Sequence, residues 1–350
     1  MILARRARAF TLIGMALAAV AFPVLQSDAR PKKPPMVVVP PPPPPPPVGL
    51  SDRLVADAAA YEAYIDATSA ISPNFTDGPS VARALKAGAS FETKAMIRGA
   101  IAYGAIAALQ DRTFVATVRS YGPTSESRRV LVNAIYANSA YALTFPHADG
   151  AAGYAKQALN ERAMRLFYAG KKIKQSAYDI QRQPWSKEFV ADREGRLNAI
   201  KTLSSISAVG PTDRAMILRS MVAGLSPSVA APPPAARPPY TPLIAHAISL
   251  AALAALGEAD DASYQRVSYL TTEVNTDFCM SMAKLNLYQC LAVAKPHYED
   301  VFCLGQHAMI DTGICLARYT GAVLPLEVFP RPLKVPPPRS VRAKPRPRRR

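Results

Sequence analysis

The chain has 350 residues, 49% of them hydrophobic and 19% charged, with 34 prolines, four cysteines and a formal charge of +17 at pH 7. That charge lies at the two ends: residues 1–33 carry a balance of +5, and residues 331–350 hold nine Lys or Arg and no acid. Only +3 remains for everything between, which excludes a basic globule.

At the N-terminus, Arg5, Arg6 and Arg8 precede an apolar run from Phe10 to Leu25, interrupted by Pro23 and followed by the small-x-small site Ser27-Asp28-Ala29. This is the layout of a secretory signal peptide over residues 1–29, with Ala19-Val20-Ala21 as a second cleavage site. Sixteen residues that include a proline are short for a helix crossing a hydrocarbon core, which takes about twenty. Cleavage after Ala29 is therefore expected, with an uncleaved anchor as the alternative. No cysteine stands near the site, which argues against a lipoprotein anchor. The abundance of Ala, Arg and Pro suits a high-GC bacterium, so the expected location is the periplasm or the secreted fraction, or the periplasmic face of the inner membrane if the anchor is kept. Residues 30–49 follow as a proline-rich linker with eight consecutive prolines from Pro40 to Pro47. Proline fixes φ and removes the amide donor, so this stretch is expected to be extended, spanning about 25 Å over those eight residues.

Residues 50–225 read as a helical bundle. Ser51 caps a first helix in which Leu54, Val55, Ala58, Tyr61 and Ile65 recur mostly at three- and four-residue spacing, until SPNFTDGP breaks the pattern. Ser90 caps a second long segment, where Ala100, Gly104 and Ala108 lie four apart and let another helix approach closely. A short helix runs from Asp111 to Tyr121, and Ser125 or Thr124 caps another that Pro146 stops. Between Ala151 and Gln183, Leu159, Leu166, Ile173 and Ile180 repeat every seven residues, and Ala163, Gly170 and Ala177 follow the first three by four. This large-small seam predicts one long helix in a tight antiparallel pair or bundle. Pro184 ends it, Trp185 marks a packed corner, Ser186 opens a helix to about Ser207, and Thr212 caps a last one reaching Gly224.

Residues 226–242 hold seven prolines and read as a linker to a second helical domain at 243–325. That domain opens with LIAHAISLAALAALG, whose length fits a buried core helix and not a membrane span. All four cysteines follow. Cys279, Cys290, Cys303 and Cys315 are separated by ten, twelve and eleven residues, too wide for the short knuckles of structural zinc sites. Cys279 and Cys290 lie three turns apart on one predicted helix, about 16 Å along its axis, and cannot bond to each other. A chain reversal at Lys295-Pro296 sets Cys290 opposite Cys303 and Cys279 opposite Cys315, a nested pair stapling a helical hairpin at both ends. The layout resembles the coiled-coil-helix-coiled-coil-helix pattern in architecture, although the spacings differ from its C-x9-C repeats. The expected fold class is therefore all-α: a helical bundle, then a smaller disulfide-stapled helical hairpin domain, with disordered proline-rich arms.

Chemistry-bearing motifs are sparse. At 100° per residue, Asp300, Cys303, His307 and Asp311 fall within about 80° of one another, making Asp300, His307 and Asp311 a candidate polar or metal site. Cys303 would join it only as a thiolate, with Met280, Met282 and Met309 suiting copper, and oxidised cysteines remove that ligand. No metal or other cofactor is expected. Ser281 to Lys284 matches S-x-x-K, but no K-T-G follows and the motif comes late in the chain; no G-x-S-x-G, H-E-x-x-H, P-loop or dinucleotide fingerprint is present. The tail at 326–350 supplies a candidate polyanion-binding set in Arg339, Arg342, Lys344, Arg346, Arg348, Arg349 and Arg350. In an envelope protein this set would meet lipopolysaccharide, anionic lipid or peptidoglycan, nucleic acid not being an expected partner, and an unengaged solvated tail is the alternative. The expected function is a non-enzymatic cell-envelope scaffold or adaptor. The alternative is a cell-wall-acting enzyme or metal-binding protein using His307 with Asp300 or Asp311.

Overall fold

A computed structural model of the chain describes residues 46–225 and 232–325. The signal segment, the prolines up to residue 45, residues 226–231 and the basic tail with Arg339 to Arg350 lie outside the described residues.

The Ser51 hydroxyl accepts from the Leu54 amide at 3.3 Å and starts α1 (Asp52–Ser69) as its spacing predicts. Asp77 then caps α2 (Gly78–Ala89), a helix that the sequence reading passed over as a break. Pro79 falls in its first turn, where a missing amide removes no helical hydrogen bond. Ser90 closes α2 instead of opening the next helix, and the Glu92 carboxylate caps α3 (Thr93–Ala108). Asp111 caps α4 (Arg112–Tyr121), and Thr124 caps α5 (Ser125–Ala137). After a 3-10 turn at Ser139–Thr144 comes α6 (Ala148–Ile180), the long helix of the heptad seam. The helix expected from Ser186 begins later: Trp185–Lys187 is a single 3-10 turn, and Asp192 caps α7 (Arg193–Leu203). Then come α8 (Thr212–Val222), α9 (Pro242–Ala255) and α10 (Tyr264–Val267). The predicted helix carrying Cys279 and Cys290 is α11 (Val274–Val293), capped by Glu273. Last are α12 (His297–Cys303), a π-helical stretch at Leu304–Asp311 and α13 (Thr312–Thr320) in unbroken succession. The second arm of the hairpin thus runs on past Gly313, which lies inside it. Among the described residues the only β pairing is an isolated bridge between Phe189 and Pro296.

At the centre of the core, α9 is buried from Leu243 to Ala255 at nearly every position, as its apolar run requires. Gly104 brings α3 against Leu159 of α6 on one side and Ala247 of α9 on the other, the close approach that the small residues foretold. Along α6, Leu159, Ala163, Leu166, Gly170, Ile173, Ala177 and Ile180 are all buried. Their partner is the late rod from α12 to α13, running antiparallel to α6. A Cβ on Gly170 would stand 2.7 Å from Met309 Cβ, and one on Gly305 would stand 2.5 Å from the Lys174 backbone nitrogen. Only glycine lets the two backbones meet at these points.

That contact places the late helices in the same hydrophobic core as the early ones, and residues 50–225 and 243–325 belong to one compact unit. The stretch read as a separating linker is a strap laid on α6. From 232 onward its Ala236 amide donates to the Asp149 carbonyl at 2.8 Å, and Pro234 lies against Gly153. The end of the first proline run is likewise docked, with Arg119 donating to the Pro46 carbonyl at 2.6 Å and Gly49 to Ala254 at 3.2 Å. No helix among the described residues is long and apolar enough to cross a membrane.

Candidate functional site

Two disulfides hold α11 to the late rod. Cys279 is bonded to Cys315 and Cys290 to Cys303, each with a Cα separation of 5.7 Å, in the nested arrangement that antiparallel pairing requires. The C-terminal end of α11 is fastened a second way. Its last carbonyls lack helical partners, and two arginines of α7 supply them: Arg193 donates to Ala292 and Ala294 at 2.8 Å, and Arg196 donates to Leu291.

Arg196 also pairs with Asp300, and this contact divides the predicted polar stripe. Asp300, in the first turn of α12, is buried against Arg196. Burial raises its carboxyl above the usual carboxylate range, a shift that the Arg196 hydrogen bond and charge oppose. His307 and Asp311 lie in the π-helical stretch, where the His307 Nδ1 and an Asp311 oxygen are 2.8 Å apart. The other Asp311 oxygen accepts from Gln306 at 2.8 Å, and Gln306 accepts from Lys174 of α6 at 2.7 Å. A π-helix bonds i to i+5 and turns less per residue than 100°, so the stripe drawn at α-helical pitch loses its register beyond Cys303. Asp300 engages Arg196 of α7, while His307 and Asp311 engage each other and Gln306 links Asp311 to Lys174 of α6. Both sulfurs of the Cys290–Cys303 pair are oxidised, so Cys303 offers no thiolate. Among the described residues no group of three or more His, Cys, Asp or Glu is arranged to hold a metal ion.

Asp300 instead borders a cleft of about 410 Å³ with His297, Arg196, Gly78, Leu85 and Ile200 in its walls. The His297 ring occupies the space that a Cβ on Gly78 would take, and it lies 6.4 Å from the Trp185 ring. Sequence reasoning missed His297; its signal was a position directly after Pro296 and one turn before Asp300. The cleft lining contains no hydroxyl or thiol nucleophile, and of its two carboxylates Asp300 engages Arg196 while Asp192 accepts the Gly195 amide at 2.7 Å. The nucleophile, base and orienting group of a hydrolytic site are not assembled there.

The outer face of α11 is of a different kind. Its inner positions Thr276, Met280, Ala283, Lys284, Leu287 and Leu291 are buried. The Lys284 ammonium donates to the carbonyls of Phe91 and Ser204 and lies 4.4 Å from the Phe91 ring centroid, and burial brings its pKa down to about 8. On the opposite side Val274 is 80% exposed, Phe278 69%, Met282 40%, Leu285 44% and Val293 73%. These side chains form an apolar line along one helix face, interrupted by the exposed Gln289 between Leu285 and Val293. With disulfides close to both ends and arginines on its last turn, α11 holds this line on a fixed backbone. No protein-family model, no curated protein and no solved structure matches the chain.

Proposed function

We propose that this protein is a non-enzymatic scaffold or adaptor of the cell envelope, acting in the periplasm or as a secreted or inner-membrane-anchored protein. The observation that carries this reading is the unpartnered apolar face of α11. Two disulfides and no free cysteine among the described residues suit an oxidising compartment. Rigid presentation favours binding, because little conformational entropy is lost when a partner docks on a helix already fixed. In this reading the basic tail with Arg339, Arg342, Lys344, Arg346, Arg348, Arg349 and Arg350 adds a sequence-independent attraction to lipopolysaccharide, anionic lipid or peptidoglycan, weakened by salt.

The test is quantitative capture from envelope extracts using the full chain, a Phe278→Glu variant and a chain lacking residues 331–350. Phe278→Glu is expected to lose partners held by the helix face, and the truncation is expected to lose only the salt-sensitive fraction. A capture profile unchanged by both alterations would remove the reading.

A further inference from the structure

Each disulfide joins a half-buried cysteine of α11 to a buried one of the late rod, so exposure alone does not order them. Cys290 and Cys303 also stand together in the wall of a cleft of about 370 Å³, among Tyr178, Val293, Tyr298 and Phe302. Thiol–disulfide exchange begins when a thiolate reaches a sulfur, so access of this kind governs its rate. We propose that the Cys290–Cys303 bond is a site of thiol–disulfide exchange, opened by an external dithiol that enters this cleft and closed again on the folded protein. The thiolate attacks Cys290 Sγ, the half-buried sulfur, and forms a mixed disulfide with it. The Cys290–Cys303 bond breaks, its electron pair leaves on Cys303 Sγ, and that sulfur takes up the proton that the external thiol released. The second external thiol then attacks its companion sulfur in the mixed disulfide and frees Cys290 as a thiol. Two electrons and two protons have passed to the protein, and the dithiol departs as a disulfide. Closure by an external disulfide runs the same steps in reverse.

The chain reversal between the two cysteines is held without their bond. Arg193 and Arg196 satisfy the last carbonyls of α11. The turn itself is clamped by the segment before α7, with the Val190 amide donating to the Lys295 carbonyl at 2.9 Å and the His297 amide donating to the Glu188 carbonyl at 3.2 Å. Beyond the turn, Asp300 is paired with Arg196, and the Phe302 ring lies edge-on to Tyr178 of α6 at 6.2 Å. Opening the bond therefore leaves Cys290 and Cys303 opposed, and thiols so placed re-form their bond at high effective concentration. Cys279 lies eleven residues from Cys290, about 16 Å along α11, beyond the reach of these ties. The Cys279–Cys315 bond keeps the structural role.

The test is timed reduction of the oxidised full chain by dithiothreitol without denaturant. Freed thiols are blocked with light iodoacetamide at each time point, the remaining bonds are then reduced in denaturant and blocked with the heavy reagent, and the ratio at each cysteine is read by mass spectrometry. Cys290 and Cys303 are expected to take the light label together, about tenfold or more faster than Cys279 and Cys315, while near- and far-UV circular dichroism stay unchanged. Removing dithiothreitol and adding its oxidised form is expected to restore the Cys290–Cys303 bond. One common rate for all four cysteines, or Cys279 and Cys315 labelled first, overturns the proposal. So does labelling of Cys290 and Cys303 that keeps step with loss of the circular dichroism signal, because the bond then opens only on unfolding. The direction of attack is tested with single-thiol variants and an aromatic disulfide reagent: Cys290 in Cys303→Ser is expected to react about tenfold or more faster than Cys303 in Cys290→Ser. Equal rates, or a faster Cys303, overturn the assignment of Cys290 as the sulfur attacked.

Discussion

Asp300 and Arg196 form a pair with little access to water, and the two residues do different amounts of work. Deleting one partner of a buried ion pair leaves the other charge desolvated and alone, a loss of about 3–5 kcal/mol. Asp300→Ala is expected to fall in that range by urea unfolding. Arg196→Met is expected to cost more, because the same guanidinium also satisfies the Leu291 carbonyl at the end of α11. Replacing both residues with apolar ones is expected to recover part of the loss and not all of it, and equal effects for the two single variants would contradict the double role. Lys284 makes a prediction about pH. Its ammonium titrates near 8 in the fold, against an ordinary 10.5, so between those values the unfolded chain binds the proton that the native state has released. Stability therefore carries the penalty of burying the charge below pH 8 and rises with pH through that window. Above about pH 10 the buried phenols of Tyr61 and Tyr64, raised by burial, act in the opposite direction, since the native state keeps protons that the unfolded chain gives up. Urea unfolding at pH 7 and at about 9.5 is expected to show the wild type gaining stability relative to Lys284→Met. Parallel profiles for the two would show that Lys284 does not titrate in this range.

At the scale of elements, the nested disulfides close loops of unequal length, with sequence separations of 36 for Cys279–Cys315 and 13 for Cys290–Cys303. The chain-entropy argument gives about 4 kcal/mol for the longer loop and about 3 for the shorter. Paired serine replacements are expected to lower the melting temperature more for Cys279 and Cys315 than for Cys290 and Cys303. The opposite order would show that loop length does not set the contribution of these two bonds. How these elements pair was legible in the sequence wherever it depended on a period. The seven-residue repeat from Leu159 to Ile180 gave the buried face of α6, and antiparallel reversal at Pro296 gave the sulfur partners. Less was legible where the period changes. Nothing local announces the π-helical stretch at Leu304–Asp311, so a stripe drawn at α-helical pitch did not separate Asp300, which pairs with Arg196, from His307, which pairs with Asp311. On α11, apolar residues line both faces, and only the packed body shows which face is left outside. The cleft at His297 was hidden for a similar reason, because its walls come from α2, α7 and α12, far apart in the chain.

The whole molecule turns on where its core is continuous. Proline-rich segments usually mark boundaries between domains, and residues 226–242 were read that way. Yet α9, which follows them, is packed against α3, α6 and the 3-10 turn at Ser139–Thr144, all of which precede them. Leu243, Ile244, Ile248, Leu250 and Leu253 are fully buried in that shared core. A fragment ending near residue 225 would leave the surfaces that receive these side chains open to water, at about 1.5–3 kcal/mol for each large apolar residue not buried. Over five such residues that total is comparable to the roughly 5–15 kcal/mol by which domains are ordinarily stable. The fragment 46–225 is therefore expected to lack a cooperative transition, and the intact chain to melt in a single one, with calorimetric and van't Hoff enthalpies in agreement. Two resolved transitions in the intact chain, or a cooperatively folding fragment, would restore the two-domain division. The single transition also bears on α11: a face borne by a body that unfolds only as a whole stays in register with its own disulfides and caps, as a fixed helical contact demands.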